Sequence, residues 1–297
     1  MSVAVVTGAT SFLGAELTRQ LLAQGDTVVA VVRPNSSNAN ALTATPGLRL
    51  VELDLSHLDR LPAHAPAADA FYHLGWDGGA PASRHHEDVQ QRNVLFAEQA
   101  ARAAVAMGCR AFVFTGSQAE YGPQDGPLAE GAALVPTTAY GRAKTQAGQR
   151  AAELCAGAGL AFAHGRVFSV YGPGDHPWTL ITQCVEGFLK GQNVALSAAT
   201  QPWNYLYVRD AAAALRALCA RQGVYNIAGL DTRLLRQFVQ DIHRLCGSRG
   251  QPLYASREPG APPPYGIQPV ADKLLATGWR PQVPFEQGIR LILEERV

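Results

Sequence analysis

A tight turn near the start of the chain constrains the fold more than any other sequence feature. It spaces its small residues as Gly8-x-x-Ser11-x-x-Gly14. The apolar run 2–6 before it predicts a buried strand, and residues 15–24 after it predict a helix. A strand, a tight turn and a helix in this order place free main-chain N–H groups and the positive end of the helix dipole beside the turn. We therefore expect the turn to bind the phosphates of a dinucleotide.

The spacing of this turn differs from the common dinucleotide-binding pattern Gly-x-Gly-x-x-Gly, because a serine stands in the middle place. A serine still allows a close approach of the backbone, although glycine allows it better. A tight turn without a ligand is the alternative, and the position at the start of a β-α-β run favours the cofactor. The expected cofactor contacts in the turn are Gly8, Thr10, Ser11, Phe12, Leu13 and Gly14.

Strand and helix signals alternate through the first two thirds of the chain. Further strands are predicted at 27–32, 49–54, 70–74, 111–115 and 161–166, and long helices at 87–107 and 138–158. Strands separated by helices predict an α/β fold with a parallel sheet covered on both faces. Ligands of such sheets bind beyond the carboxyl ends of the strands.

The regular alternation of predicted strands and helices ends after residue 171, where a loop rich in glycine and proline begins. We expect residues 1–170 to form a dinucleotide-binding domain, to which residues 205–230 return. Residues 171–204 and 231–297 are expected to form mainly a smaller substrate-binding lobe.

Composition excludes several classes of protein. The 297 residues are 47% hydrophobic and 16% charged, with a net charge of +1, which gives no reason to expect nucleic acid or an anionic membrane as a partner. No apolar stretch is long enough to span a bilayer, and no signal peptide is recognised. The five cysteines are scattered, which predicts reduced thiols and a cytoplasmic location. We expect no metal site, because the adjacent pair His85 and His86 has no further ligands at suitable spacing.

Tyr140 and Lys144 stand four residues apart in a predicted helix and should share one face of it. A free phenol has a pKa of about 10, so lowering it by roughly three units requires about 4 kcal/mol. One cation at roughly 4 Å supplies about that amount at an effective dielectric constant near 20. We therefore predict that Tyr140 exchanges a proton with substrate and that Lys144 supports its phenolate. A chance Tyr-x-x-x-Lys pair is the alternative.

Ser117 follows the strand signal at 112–116 and should lie at the same sheet edge as the glycine turn. Its hydroxyl is expected to hydrogen-bond the reacting oxygen of a substrate. A turn serine that satisfies its own backbone is the alternative reading.

Taken with these residues, several segments resemble the extended short-chain dehydrogenase/reductase family, in its epimerase/dehydratase group that modifies nucleotide sugars. The segments are 117–122 (Ser-Gln-Ala-Glu-Tyr-Gly), 166–174 (Arg-Val-Phe-Ser-Val-Tyr-Gly-Pro-Gly) and 278–281 (Gly-Trp-Arg-Pro). The resemblance covers nearly the whole chain. It implies a Rossmann-type doubly wound parallel sheet with a smaller C-terminal substrate lobe, a catalytic triad of Ser117, Tyr140 and Lys144, and a homodimer.

The resemblance also implies further site residues. Expected cofactor contacts are Asp54, Leu55, Leu74, Gly75, Trp76 and Asn93, together with Tyr140 and Lys144. Expected substrate contacts are Ser117, Gln118, Ser169, His176, Trp203 and Arg257.

Two departures from the family pattern bear on the substrate. Trp203 stands where members of the family often have an arginine that contacts the substrate diphosphate, whereas Arg257 resembles a second phosphate-contacting arginine that is retained. Gln118 and Ala119 replace the acid and base pair of sugar dehydratases, and we therefore rank a dehydratase low among the functions considered.

The residues after the second strand favour NADP(H) over NAD(H). A carboxylate there would bind the NAD ribose, but the chain has Arg33, Ser36 and Ser37, which suit a 2′-phosphate. A solvated Arg33 is the alternative. NADP leads to our first interpretation, a reductase of a keto group on a nucleotide-activated sugar. The alternative is an NAD-dependent nucleotide-sugar 4-epimerase, and a non-catalytic cofactor-sensing regulator is a third possibility.

Overall fold

A parallel sheet forms the centre of the computed structural model, which describes residues 2–36, 42, 45–65, 67–256 and 266–296. The strands are β1 (Val3–Thr7), β2 (Thr27–Val32), β3 (Leu48–Glu52), β4 (Ala70–His73), β5 (Ala111–Ser117), β6 (Ala161–Val167), β7 (Ser169–Tyr171), β8 (Val194–Ala195), β9 (Pro202–Tyr207), β10 (Gly223–Ile227), β11 (Thr232–Leu234) and β12 (Pro252–Leu253). Within the described residues, seven of them form one sheet in the order β3-β2-β1-β4-β5-β6-β10, and all its neighbouring strands run parallel.

Helices cover both faces of this sheet. The helices of the described residues are α1 (Phe12–Ala23), α2 (Leu61–His64), α3 (Glu87–Ala106), α4 (Ala139–Gly157), α5 (Leu180–Leu189), α6 (Val208–Ala217), α7 (Leu235–Leu245), α8 (Asp272–Leu275) and α9 (Phe285–Glu294), of which α5, α7 and α9 pack with a smaller sheet. One face carries α1 and α6, and the other carries α3 and α4. The predicted α/β class with a doubly wound parallel sheet is confirmed.

Strand β2 shows how the sequence produces this two-sided core. Its side chains alternate, so that Val28 and Ala30 pack on the face of α1 while Val29 and Val31 pack on the face of α3. A strand that is buried on both faces needs apolar residues at every position, which explains its continuous valine-rich run.

A smaller sheet lies in the C-terminal part of the chain, where β9 pairs with β7 and β11. A third hydrophobic cluster joins this sheet to α5, α7 and α9. Within residues 205–230, the end of β9 belongs to the smaller sheet, whereas α6 packs against α1 and β10 joins the central sheet. The division into two domains stays a prediction.

The boundaries of most elements lie within a few residues of the predicted ones, and β2 matches at both ends. Helix α1 begins three residues earlier than expected, because Ser11 caps it. In the described part of the chain, no helix combines the length and the apolar character that crossing a membrane requires.

Candidate active site

The turn between β1 and α1 has little room for side chains. Gly8 has a φ of +67°, and a Cβ there would lie 2.8 Å from the main-chain nitrogen of Gly75. A Cβ on Gly14 would collide with the carbonyl oxygen of Gly8. Both glycines are therefore required by the close approach of β1, β4 and α1.

The start of α1 presents main-chain N–H groups at the carboxyl edge of the sheet. The Ser11 side chain accepts a hydrogen bond of 3.1 Å from the N–H of Gly14. Phe12 and Leu13 occupy the first two helical positions, whose N–H groups have no partner inside a helix. The serine in the middle of the motif thus caps the helix, a role that our sequence analysis did not consider. The turn fits a dinucleotide phosphate, because main-chain N–H groups without helical partners lie at the start of α1.

Hydrogen bonds connect the ends of β1 and β4 next to this turn. Thr7 Oγ1 accepts a hydrogen bond of 3.2 Å from the N–H of Gly75 and shares one of 2.8 Å with His73 Nδ1. Burial lowers the pKa of His73 to about 3. The Leu55 side chain packs against Gly75, which places Leu55, Gly75 and the glycine turn together. Asp54 is occupied locally, since its carboxylate accepts hydrogen bonds from the N–H and the hydroxyl of Ser56.

The three predicted catalytic residues come together at the end of β5. Ser117 ends that strand, and its hydroxyl accepts a hydrogen bond of 3.2 Å from the N–H of Ala119, as the alternative of a turn serine that satisfies its own backbone implies. The same side chain is close enough to the phenol of Tyr140, at the start of α4, to lower the pKa of that phenol by hydrogen bonding. Lys144 lies one helical turn further on, where its amine donates a hydrogen bond of 2.7 Å to the carbonyl of Thr115. The Ser117 hydroxyl and the Tyr140 phenol can therefore contact one substrate oxygen, and the Lys144 amine lies near the Tyr140 ring.

The electrostatics of Tyr140 differ from the sequence expectation. Burial raises the pKa of its phenol, and the effects that lower it are led by the charge of Arg84 and the hydrogen bond to Ser117. The Lys144 amine lies 5.9 Å from the centre of the Tyr140 ring and only 3.7 Å from that of Trp76. Burial also lowers the pKa of Lys144 to about 7. That Lys144 supports the phenolate stays a prediction, and the burial of its amine works against the positive charge that this role needs.

A buried ionic cluster lies directly behind Ser117. Glu120 is fully buried, and its carboxylate accepts hydrogen bonds from the N–H of Ser117 at 2.8 Å and from Nε2 of His164 at 3.0 Å. Arg166 donates to the other carboxylate oxygen from its Nε at 3.0 Å. In the sequence, Glu120 and Arg166 stand out only as parts of family segments, because the contact between their side chains depends on the pairing of β5 with β6.

The loop after β4 carries two further predicted residues. Asn93 is buried, and its carboxamide accepts from the N–H of Asp77 at 2.8 Å and donates to the carbonyls of Asp77 and Val89. It thereby holds the loop in which Trp76 follows Leu74 and Gly75. Trp76 lies edge-on to the Tyr140 ring, with 5.8 Å between the ring centres.

Arg33 does not present a free guanidinium at the end of β2. It forms an ion pair of 2.9 Å with Asp77, and both side chains are exposed. The N–H of Ser36 donates to the carbonyl of Arg33 at 3.1 Å, while Ser37 lies outside the described residues. The preference for NADP that we based on Arg33 is therefore not supported, because a carboxylate already accompanies this arginine.

The predicted substrate residues that the structure describes come from several elements. Gln118 and Trp203 are partly buried, and Gln118 Oε1 and Trp203 Nε1 have no hydrogen-bond partner among the residues that the structure describes. Ser169 is partly buried on β7. His176 stacks on Trp178 with 4.2 Å between ring centres. Arg257 lies outside the described residues.

Comparison with known proteins identifies the class to which this fold and site belong. A model of the NAD-dependent epimerase/dehydratase family matches residues 4–228, and the chain belongs to that family. It is therefore a sugar-nucleotide enzyme that depends on a nicotinamide cofactor. This confirms the resemblance found in the sequence.

Similar individual proteins cover nearly the whole chain. A low-salt glycan biosynthesis protein, Agl12 of Haloferax volcanii, is 24% identical over 98% of this chain and 97% of its own. The structure of a UDP-glucose 4-epimerase from Thermotoga maritima with UDP-glucose superimposes with a TM-score of 0.88 at 20% identity, covering 98% of this chain and 97% of that one. The structure of MoeE5 with UDP-glucose and NAD has a TM-score of 0.84 at 25% identity, with the same coverage of 98% and 97%.

Proposed function

We propose that the protein is an NAD-dependent nucleotide-sugar 4-epimerase, the second interpretation of the sequence. The observation that carries the proposal is the meeting of Ser117, Tyr140 and Lys144 at the end of β5, the same sheet edge as the glycine turn. Two comparisons support it, since the Thermotoga protein is named a UDP-glucose 4-epimerase and MoeE5 was solved with UDP-glucose and NAD. The ion pair between Arg33 and Asp77 also favours NAD, because NADP would place a phosphate near the carboxylate.

The residues of this chain supply binding and proton transfer. Main-chain N–H groups of Phe12 and Leu13 would hold the cofactor phosphates. Bound NAD supplies the acceptor and donor of hydride. Tyr140 removes the proton of the sugar hydroxyl as a general base and returns it in the second half of the cycle. Ser117 hydrogen-bonds the reacting oxygen, and protonated Lys144 supports the phenolate.

A reductase of a keto sugar remains the second candidate. It is favoured by one observation, namely that β2 ends at Val32 and is followed by Arg33 rather than by a carboxylate. Such an enzyme would consume NADPH in every turnover, whereas an epimerase regenerates its cofactor. Net consumption therefore separates the two functions.

We also propose a homodimer, as the family resemblance implies, and a cytoplasmic location, as the scattered cysteines suggest. Helices α3 and α4 pack side by side, and Leu95 on α3 is 55% exposed. Light scattering of the purified protein tests the dimer, and a monomer at micromolar concentration would contradict it.

The proposed function is tested with purified protein, NAD and a panel of UDP-hexoses, UDP-hexuronates and UDP-N-acetylhexosamines. We expect chromatography to show interconversion of two C4 epimers, with no net change in nicotinamide absorbance. Y140F should abolish exchange while NAD still shifts the melting temperature, and S117A should lower kcat about 10²- to 10³-fold. Y254F is the matched control, because among the described residues the Tyr254 hydroxyl donates a single hydrogen bond, of 3.5 Å, to the carbonyl of Arg236 in the C-terminal part of the chain. Steady oxidation of NADPH by a keto-sugar nucleotide, without epimer exchange, would establish the reductase instead.

A further inference from the structure

Arg84 contacts the proposed proton-transfer residue through both its main chain and its side chain. The N–H of Tyr140 donates a hydrogen bond of 3.0 Å to the carbonyl of Arg84. The guanidinium carbon of the same arginine lies 5.0 Å from the centre of the Tyr140 ring. A cation at this distance above an aromatic ring interacts favourably with it.

The loop that carries Arg84 is held in place by a buried side chain of α3. The Gln90 carboxamide accepts a hydrogen bond of 2.9 Å from Nε1 of Trp76 and donates to the carbonyls of Gly78 at 2.9 Å and Ser83 at 3.0 Å. Arg84 adds a hydrogen bond of 3.1 Å from its own Nε to the carbonyl of Gly79. The side chain of Arg84 is exposed, and the hydrogen bond from its Nε together with the bonded loop holds the guanidinium beside Tyr140.

The charge of Arg84 is not neutralised by a carboxylate within the described part of the chain. Other arginines at this end of the molecule differ, since Arg142 pairs with Glu87 and Arg33 pairs with Asp77. The terminal nitrogens of Arg84 are therefore directed at Tyr140 and solvent rather than at an acidic partner. An arginine with no role beyond the surface would not need its guanidinium to be placed beside Tyr140 and away from a carboxylate.

Three charged groups face the phenol of Tyr140 from the elements around it. Arg84 comes from the loop, Lys144 from the same helix, and Glu120 from the turn after β5. Burial lowers the pKa of Lys144 to about 7, so that its charge is incomplete near neutral pH. Arginine keeps its charge throughout the working range. Arg84 is thus the constant positive charge next to the phenol, and it opposes the negative charge of Glu120.

We propose that Arg84 is a positioning residue that acts through Tyr140, with a permanent charge that stabilises the phenolate alongside Lys144. Its consequence for turnover rests on the proposed function, because only then does Tyr140 exchange a proton with substrate. The effect on the phenol itself does not depend on any substrate. The charge of Arg84 is the largest of the effects that lower the pKa of Tyr140 against burial, which agrees with the geometry.

The direct test is an NMR titration of the Tyr140 phenol in protein labelled with ¹³Cζ-tyrosine. The chain has nine tyrosines, and Y140F assigns the signal. We expect R84M to raise the pKa of this phenol by roughly one pH unit, because a nearby opposite charge is removed. R84K should raise it by less, since lysine keeps the charge but cannot form the same hydrogen bond to Gly79. R142M is the matched control and should leave the titration unchanged.

The outcomes separate this proposal from the proposed function. If R84M and R142M titrate like the unchanged protein, the proposal for Arg84 is wrong, whatever the enzyme catalyses. If a C4 epimer exchange is found, the acidic limb of its kcat profile should move to higher pH in R84M and partly return in R84K. A change in KM with no movement of that limb would mean that Arg84 binds substrate instead, and would overturn the proposal. Should R84M fail to fold, the comparison of R84K with R142M decides.

Discussion

The carboxylate of Glu120 accepts a hydrogen bond of 2.8 Å from the main-chain N–H of Ser117, and the Glu120 side chain is fully buried. The same carboxylate takes hydrogen bonds from His164 and Arg166 on β6. The position of Ser117 is therefore fixed by a buried charge, and this charge is compensated from the neighbouring strand. Such an arrangement costs desolvation energy and is stable only while all its partners remain.

Substitution of Glu120 should reveal this dependence as a function of pH. Burial raises the pKa of Glu120, but the charge and hydrogen bond of His164, followed by Arg166, outweigh it and hold the pKa below its usual 4.5. A carboxyl group with a lowered pKa stabilises the folded state fully above its unfolded value, and this contribution is lost as the pH falls through the folded value. We expect E120Q to lower the free energy of unfolding by about 3–5 kcal/mol at pH 7, because it leaves Arg166 unpaired.

Urea unfolding of both proteins between pH 3.5 and 7 measures the effect of E120Q, and the deficit should shrink toward the acidic end. E153Q, on the same fold at a 70% exposed side chain, should behave like the unchanged protein. A deficit that stays constant over this pH range would show that Glu120 contributes by packing and not by charge.

Gly148 of α4 leaves the space that His164 fills. A Cβ at this position would collide with Cε1 of the His164 ring. Alanine is favoured over glycine inside a helix by about 1 kcal/mol. We nevertheless expect G148A to destabilise the protein by about 1–3 kcal/mol, because overpacking at the fully enclosed site outweighs that gain. Differential scanning calorimetry of G148A measures the sign.

Gly157 in the same helix provides the control for Gly148. A Cβ there would meet nothing within 4 Å, so G157A should be neutral or stabilise the protein by up to about 1 kcal/mol. If both variants were stabilised equally, the contact with His164 would not be close.

The glycine turn, the parallel sheet and the proximity of Ser117, Tyr140 and Lys144 could be predicted because they depend on local sequence and on where a strand ends. A strand buried on both faces and a helix cap leave clear patterns, and Tyr140 and Lys144 share a helix face by spacing alone. Glu120 and His164 left no such pattern, because they meet only when β5 pairs with β6. Arg84 lies in an irregular loop, whose course depends on the side-chain hydrogen bonds of Gln90 at the start of α3. The pKa of Lys144 depends on burial, which spacing does not reveal.

The ion pair between Arg33 and Asp77 predicts how cofactor preference can be changed. Asp77 holds the guanidinium at 2.9 Å, on the side of the sheet where the second strand ends. D77N removes the competing carboxylate and keeps the main-chain contacts with Asn93. We expect the affinity for NADP relative to NAD to rise about two- to five-fold, as the loss of an exposed ion pair of about 0.5–1 kcal/mol allows.

Isothermal titration calorimetry with both cofactors tests the effect of D77N. D59N, which removes a charge from an exposed aspartate on the same domain, is the control and should leave the ratio unchanged. An unchanged ratio in D77N as well would mean that Arg33 does not reach the 2′ position of the ribose.

Lys144 should cost stability in exchange for function. Its side chain is 4% exposed, and burial lowers its pKa to about 7 from the usual 10.5. Between these two values the unfolded chain binds more protons than the folded one, so the contribution of Lys144 to stability rises with pH from about 7 to about 10. K144M removes the buried charge and loses the hydrogen bond to Thr115. We expect it to be more stable than the unchanged protein by roughly 1–3 kcal/mol at pH 7, while hydride exchange is lost.

Urea unfolding between pH 6.5 and 9.5 should show this stability advantage of K144M decreasing as the pH rises. K190M, at an exposed lysine that ends α5, should show no such trend. A K144M variant that is less stable at every pH would mean that the amine is held by its contacts with Thr115 and Trp76 more strongly than burial opposes it.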